Sequence, residues 1–216
     1  SVGEALALGR TFLEAMNKAV RSAELGYYGI PYLDHIDDEQ LDKMLETAHP
    51  LRLFAAYSKM KKYGESAYSE VARKTSFAPW FLHELRQMIA LEKQVKSQYL
   101  DKQLLLDAKR CGLSDKQIAD LKQTEEIEIA ALRDKEDIHA CYHFVDTCAG
   151  EFPADTPYFY STYGEIDEGG QAGKPGVIIL ASGPNRIGQG LEFDTCCTLA
   201  SLAYREQGVK TIIVNS

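Results

Sequence analysis

The sequence contains no apolar run approaching the roughly 20 residues that span a bilayer, which excludes a transmembrane segment. Nor does it open on a compact apolar block. Residues 1–20 are amphipathic and charged, so a secretory signal peptide is not expected. Cations are in short supply, with 24 Lys and Arg against 32 Asp and Glu, for a formal net charge of −8 and an isoelectric point near 5.2. A broad nucleic-acid-binding surface is therefore not expected. The deficit is local. From Gly176 onward three cations (Arg186, Arg205, Lys210) balance three anions (Glu192, Asp194, Glu206), so the whole excess lies in residues 1–175. The five cysteines, Cys111, Cys141, Cys148, Cys196 and Cys197, are odd in number and lack a repeated spacing. Free thiols in a reducing, cytoplasmic compartment are expected instead of a disulfide framework. What is present, 45% hydrophobic and 26% charged residues in 216, fits one large or two small folded domains. The first residue is Ser1 and not Met, and the chain is read as a piece of a longer protein.

Up to about Gly150 the pattern predicts a succession of short helices. Thr11 and Glu14 have the spacing of a capping box, opening a helix expected to run to Leu25 and stop at Gly26. Pro50 suits a first helical turn, with Leu53, Phe54 and Tyr57 on one side and Gly64 as terminator. Phe81, Leu85, Met88, Val95 and Tyr99 fall on one stripe of a long helix beginning near Pro79. Ser114 and Gln117 form a second capping box, and Thr124, followed by Glu125 and Glu126, starts a further helix with anions at its positive end. Such apolar stripes belong to a packed core before any cofactor site. Tyr57 and Tyr63 read as exposed aromatics suited to self-association.

Beyond Phe152 the character changes. Tyr158, Phe159, Tyr160 and Tyr163 cluster, and Asp167 and Glu168 with Gly169, Gly170, Gly173 and Pro175 read as a flexible linker. Val177–Leu180 is a continuous apolar run suited to a strand buried on both faces. A loop from Gly183 to Gly190, a helix from Phe193 to Gln207 stopped by Gly208, and a β-rich run from Val209 to Val214 complete a βαβ unit and imply a parallel sheet. Two strands cannot stand alone, so further strands are expected. The predicted fold class is thus mainly α, a helical domain followed by a truncated α/β piece.

Four segments carry residues whose chemistry suggests a site. The loop Gly183-Pro184-Asn185-Arg186-Ile187-Gly188-Gln189-Gly190 is neither a P-loop, since Gln189 and Gly190 occupy the Lys and Ser/Thr places, nor a dinucleotide fingerprint. Its glycines still allow close approach of a ligand or of another backbone. His139, Cys141, His143 and Cys148 lie close together but match no zinc-finger spacing, so no metal site is assigned. Adjacent Cys196 and Cys197 on a helix are expected in the core and not as a redox pair. His83-Glu84 opens like a metalloprotease motif, but Gln87 stands where the second His is needed.

The stretch Gly183–Asp194 with Cys196-Cys197 resembles the start of the second synthetase half of the carbamoyl phosphate synthetase large subunit. Ser1–Glu4 through Gly9-Arg10-Thr11, Trp80-Phe81-Leu82, Val145–Ala149 with Glu151-Phe152, and Tyr160–Tyr163 agree in order. The resemblance covers nearly the whole chain. It departs where the family often has Pro and Lys near Tyr142 and this chain has Ala140 and His143. It implies that residues 1–24 end the first synthetase half, residues 25–170 form a helical oligomerisation domain, and residues 171–216 begin the second half. The family makes carbamoyl phosphate from bicarbonate, ammonia released from glutamine by a small subunit, and two ATP, with Mg or Mn and K, for arginine and pyrimidine synthesis. By this resemblance the catalytic residues lie in ATP-grasp domains, none in this chain. Glu4, Gly190 and Glu192 would line the passage taken by the carbamate intermediate, with Gly183, Asn185, Arg186 and Gly188 in the glycine loop. Self-association and a glutaminase partner are implied for the parent, with no nucleic acid and no membrane. A competing expectation is a helical interaction module with an α/β extension and no enzymatic role. A third, an NAD-binding piece, is weak because Asn215-Ser216 ends the second strand where an acidic residue would hold a ribose.

Overall fold

The computed structural model describes residues 3–154, 156–170, 176–181, 183–186 and 190–215. A two-residue strand, β1 (Gly3–Glu4), precedes helices α1 (Phe12–Ser22), α2 (Asp38–Glu46), α3 (Arg52–Tyr63), α4 (Glu65–Thr75), α5 (Pro79–Ser97), α6 (Lys102–Arg110), α7 (Asp115–Lys122) and α8 (Glu126–Lys135). Strands β2 (Cys141–Phe144) and β3 (Phe159–Thr162) follow, then β4 (Gly176–Leu180), β5 (Asn185–Arg186), α9 (Gly190–Glu206) and β6 (Lys210–Val214). The fold is mainly α with a small α/β unit, the class read from the sequence.

The helices start where short polar side chains satisfy first-turn amides. Asp37 Oδ1 accepts from Gln40 N at 2.8 Å, Asp101 Oδ1 accepts from Leu104 N at 2.9 Å, and Ser114 and Gln117 cap α7 reciprocally. The Thr11 start differs from expectation in one respect. Thr11 Oγ1 accepts from Glu14 N, but the Glu14 carboxylate accepts from Arg10 N at 2.7 Å and not from the Thr11 amide. The helix also ends at Ser22 instead of Leu25, with Glu24 already left-handed ahead of Gly26. The cause is tertiary: the Arg21 guanidinium donates to the carbonyls of Tyr28 and Gly112 and draws the departing chain back across the helix end.

Helix α5 is the centre of the helical unit, packing against α1, α3, α4, α6 and α7. Its buried stripe is Leu82, Leu85, Met88, Ile89, Glu92 and Val95. Phe81 and Tyr99, expected on that stripe, lie outside it and are exposed: α5 ends at Ser97, two residues before Tyr99, and Phe81 rests against the Phe12 and Trp80 rings at the start of the helix. Each fully buried apolar side chain here contributes roughly 1.5–3 kcal/mol. Gly112 ends the turn after α6 at φ +85°, and a Cβ there would stand 2.8 Å from Glu14 Cα, so only glycine lets this turn sit against α1. Buried Asn17 ties three segments by donating to Cys111 O and accepting from Ile30 N, both at 3.1 Å.

Tyr57 corrects a sequence expectation. It is fully buried, not exposed, and its hydroxyl donates to Glu92, which also accepts from Lys61 Nζ at 2.6 Å. Among the described residues Tyr57 is the largest of the fully buried side chains, and Glu92 gives its hydroxyl a partner there. Burial first, then the Glu92 charge, holds the phenol well above the ordinary tyrosine range. Tyr63 is exposed and bonds to Asp38.

Two further expectations are corrected after α8. Residues 141–162 form an antiparallel hairpin in which Cys141 pairs with Thr162 and Phe144 with Phe159. Asp167 and Glu168, read as linker, close the free edge of β2: Asp167 Oδ1 accepts from Tyr142 N at 3.0 Å, and Glu168 N donates to Tyr142 O at 2.7 Å. The remainder of the expected linker, residues 171–175, lies outside the described residues.

The βαβ unit is present, with β4 and β6 parallel from Gly176↔Lys210 to Leu180↔Val214. Its apolar residues are not buried on both faces: Ile178 and Leu180 are 64% and 79% exposed, because the described partners of this pair are one strand and one helix. Cys196, expected in the core, is exposed for the same reason, and Cys197 is half-buried.

Candidate functional site

The glycine loop contains a short strand that residue patterns did not reveal. Asn185 and Arg186 pair antiparallel with Gly3 and Glu4, with Glu4 opposite Asn185 and Gly3 opposite Arg186. This pairing joins the segment ahead of the helical unit to the segment behind it. Gly183, half-buried, precedes the pair at φ +83°, a conformation that side chains rarely adopt. Gly190 opens α9 and Glu192 stands in its first turn by backbone position, while Gly188 lies outside the described residues. Of the residues singled out from the sequence, the fold therefore brings Glu4, an exposed carboxylate, to Asn185 and Arg186 within the loop. A two-residue strand pairing across such sequence distance leaves no local signal, and only close backbone approach, permitted by the glycines, could have been read beforehand.

A second polar cluster lines a cleft of about 270 Å³ between α1, the α6–α7 turn and β3. Lys18 Nζ lies 2.8 Å from Glu14 Oε1, Lys109 Nζ lies 2.8 Å from Asp115 Oδ1, and Arg133 Nε lies 2.8 Å from Asp115 Oδ2. Lys109 also donates to Leu113 O, and Arg21 to Gly112 O. Burial lowers the pKa of both Arg21 and Lys109, with Tyr163 and Glu14 acting in the opposite sense on Arg21 and Asp115 on Lys109. Each of these cations already has a carboxylate or carbonyl partner, so the cluster fastens α1, α6, α7 and α8 together and presents no unsatisfied set of donors to a ligand.

His139, Cys141, His143 and Cys148, close together in sequence, divide between different roles. His139 Nε2 lies 3.3 Å from Asp137 on an exposed turn, and Cys148 sits beside Thr147 in the hairpin loop. Cys141 and His143 share one face of β2, with Cys141 Sγ 3.9 Å from His143 Nε2 and His143 Nδ1 3.2 Å from Glu168 Oε2. Among the described residues no three His, Cys, Asp or Glu side chains converge to hold a metal ion. No helix of the described residues is long and apolar enough to cross a membrane.

Comparisons with known proteins cover both parts of the chain. Residues 4–137 match the family described as carbamoyl-phosphate synthetase large chain, oligomerisation domain, and residues 173–216 match the carbamoyl phosphate synthase preATP-grasp domain. The carbamoyl phosphate synthase large chain of Nostoc sp. is 44% identical over all of this chain and 20% of its own length. That of Archaeoglobus fulgidus is 39% identical over all of this chain and 21% of its own length. The arginine-specific, chloroplastic large chain of Arabidopsis thaliana is 42% identical, again over all of this chain and 19% of its own length. The chain spans about a fifth of the length of the curated relatives it matches.

Proposed function

We propose, from the premise that this chain belongs to the carbamoyl-phosphate synthetase large-chain family, that it is the part connecting the two synthetase halves of a glutamine-dependent enzyme. In this reading residues 1–24 close the first half, residues 25–170 join the halves and mediate self-association, and residues 171–216 open the second half. The intact enzyme is an ATP-dependent ligase that makes carbamoyl phosphate from bicarbonate, glutamine-derived ammonia and two ATP, with a glutaminase subunit or domain as partner. Its product serves arginine and pyrimidine synthesis. The observation that supports this reading is the β1·β5 pairing, which clasps the two ends of the helical unit so that segments assigned to different halves share one small sheet.

ATP, Mg or Mn, and K belong in this reading to the intact enzyme and not to the glycine loop. The loop does not fit a nucleotide: Gln189 stands where a P-loop carries its lysine, and the backbone of Asn185–Arg186 is engaged with β1 instead of cradling phosphate. The chain alone is expected to turn over no ATP, and a measurable ATPase rate in the purified chain would contradict this. Self-association rests on the matched oligomerisation domain; the buried Tyr57 gives it no support.

Glu4, Gly190 and Glu192 are assigned to the passage of carbamate between the halves. Glycine at 190 has no Cβ to narrow a passage. Fixed carboxylates at 4 and 192 disfavour an anion and favour movement of the neutral carbamic acid. In the intact enzyme, Gly190→Leu is expected to lower carbamoyl phosphate formation far more than glutamine hydrolysis or the ATP-dependent step at either active site. Unchanged carbamoyl phosphate synthesis would return Gly190 to a purely structural role at the start of α9.

A further inference from the structure

The β2–β3 hairpin carries chemistry that the connecting role does not use. Strand alternation puts Cys141 and His143 on one face of β2, where the His143 ring stacks on Tyr160 with centroids 5.8 Å apart and planes inclined by 28°. The ring is held in one orientation. Its Nδ1 lies 3.2 Å from Glu168 Oε2, and Glu168 is itself pinned to β2, donating from its amide to Tyr142 O and accepting at Oε2 from Phe144 N at 2.8 Å. A carboxylate facing Nδ1 keeps the ring proton there and leaves the Nε2 lone pair free to accept. That lone pair stands 3.9 Å from Cys141 Sγ, and the thiol also has the Thr162 carbonyl as an acceptor at 3.5 Å, so its proton has two acceptors in reach. Thiol, imidazole and carboxylate thus stand in the order that activates a cysteine nucleophile.

We propose that Cys141 is a modification site for small hydroperoxides, with His143 as the base that takes its proton and Glu168 as the positioning residue. The thiol proton passes to His143 Nε2, and the thiolate attacks one oxygen of the hydroperoxide. An S–O bond forms as the O–O bond breaks, oxidising sulfur by two electrons to the sulfenic acid. The departing oxygen is reduced by the same two electrons and takes the proton from His143, leaving as water from hydrogen peroxide or as an alcohol from an alkyl hydroperoxide. Glu168 stabilises the imidazolium between the two proton transfers. Cys141 is 6% exposed, which restricts attack to an oxidant as small as a hydroperoxide.

The chain holds its own controls. Cys196 is exposed on α9, and Cys111 lies in the core with its thiol pushed up to about 12, chiefly by burial. The experiment treats the full chain with hydrogen peroxide, removes the oxidant with catalase, unfolds the chain in the presence of dimedone so that every sulfenic acid is reached, and follows labelling of each cysteine peptide by mass spectrometry. Cys141 is expected to label about tenfold faster than Cys196, with Cys111 unlabelled. His143→Gln is expected to slow Cys141 by about tenfold or more, and Glu168→Gln by about threefold, with the Cys196 rate and the melting temperature unchanged in the latter. Glu168→Gln keeps an acceptor for the Phe144 amide and removes only the charge that orients the ring. Labelling of Cys141 no faster than Cys196 in the unaltered chain overturns the proposal whatever the variants do. So does a Cys141 rate that neither substitution changes.

Discussion

The helical unit and the α/β unit use the same kinds of apolar side chain to opposite effect. Leu45, Leu82, Leu85 and Met88 are sealed among helices, whereas Ile178, Leu180, Leu199 and Leu202 on β4 and α9 remain open to solvent. Composition does not separate the two, since the α/β unit is the more apolar by its runs. The difference is the number of layers. In the helical unit α5 is covered on several sides, so its stripe loses nearly all contact with water. In the α/β unit one helix leans on a two-stranded sheet, and among the described residues no second layer encloses the outer face of the strand pair. Burial is a property of the arrangement and not of the segment.

Hydrogen exchange sharpens this contrast most. Amides of β4 and β6 are expected to exchange about a thousandfold faster than those of α5 between Leu85 and Val95, the range separating local from global opening. Equal protection in both would break the comparison. Substitution comes next. Leu85→Ala is expected to cost about 3 kcal/mol in denaturant unfolding, because a sealed cavity replaces the side chain, while Leu180→Ala, already exposed, is expected to cost under about 0.5 kcal/mol. Similar losses at the two sites would mean that β4 is covered in solution.

Tyr57→Phe tests the polar element within the helical core. It removes the donor to buried Glu92 while keeping the ring, and is expected to destabilise by about 1–2 kcal/mol at neutral pH. A neutral effect would show that Lys61 alone satisfies the carboxylate. The smallest effect concerns the segment between the units. Amides of Gly169 and then Tyr142 hold the Asp167 carboxyl below the ordinary aspartate range. A depressed folded value stabilises above the ordinary pKa, and that contribution is lost as pH falls through the folded one. The Tyr142 and Gly169 amide resonances are therefore expected to hold steady to about pH 4 and to move together only below it. A midpoint at or above that of a free aspartate would contradict the contact.

Much of the fold was legible because it is written in short-range terms. The Ser114–Gln117 box, the start of α5 at Pro79, the stop at Gly208 and the βαβ order all depend on residues within a few positions of one another. Reading failed where a distant segment changed the outcome. Arg21 shortened α1 by reaching Tyr28 and Gly112, Tyr57 was taken inside by Glu92, and the edge of β2 recruited Asp167 and Glu168 from an apparent linker. The candidate site shows the same division. Its glycines and Glu4 could be singled out by residue type and by resemblance, but the antiparallel meeting of Gly3–Glu4 with Asn185–Arg186 joins opposite ends of the chain.

The sequence by itself determined the helical character up to α8, the caps at Ser114 and Gly64, the parallel sense of β4 and β6, and the family to which the chain belongs, whereas α8 is capped at Glu125 and not at Thr124. Each of these rests on side-chain-to-backbone bonds one turn apart, on apolar periodicity, or on a motif read in order. Only the tertiary structure decided which aromatic rings are buried, which strand meets the glycine loop, and that Cys141, His143 and Glu168 stand in line. Those outcomes depend on which surfaces come within a few ångströms after the chain has closed on itself, because desolvation and hydrogen bonding act over that distance whatever the separation in sequence.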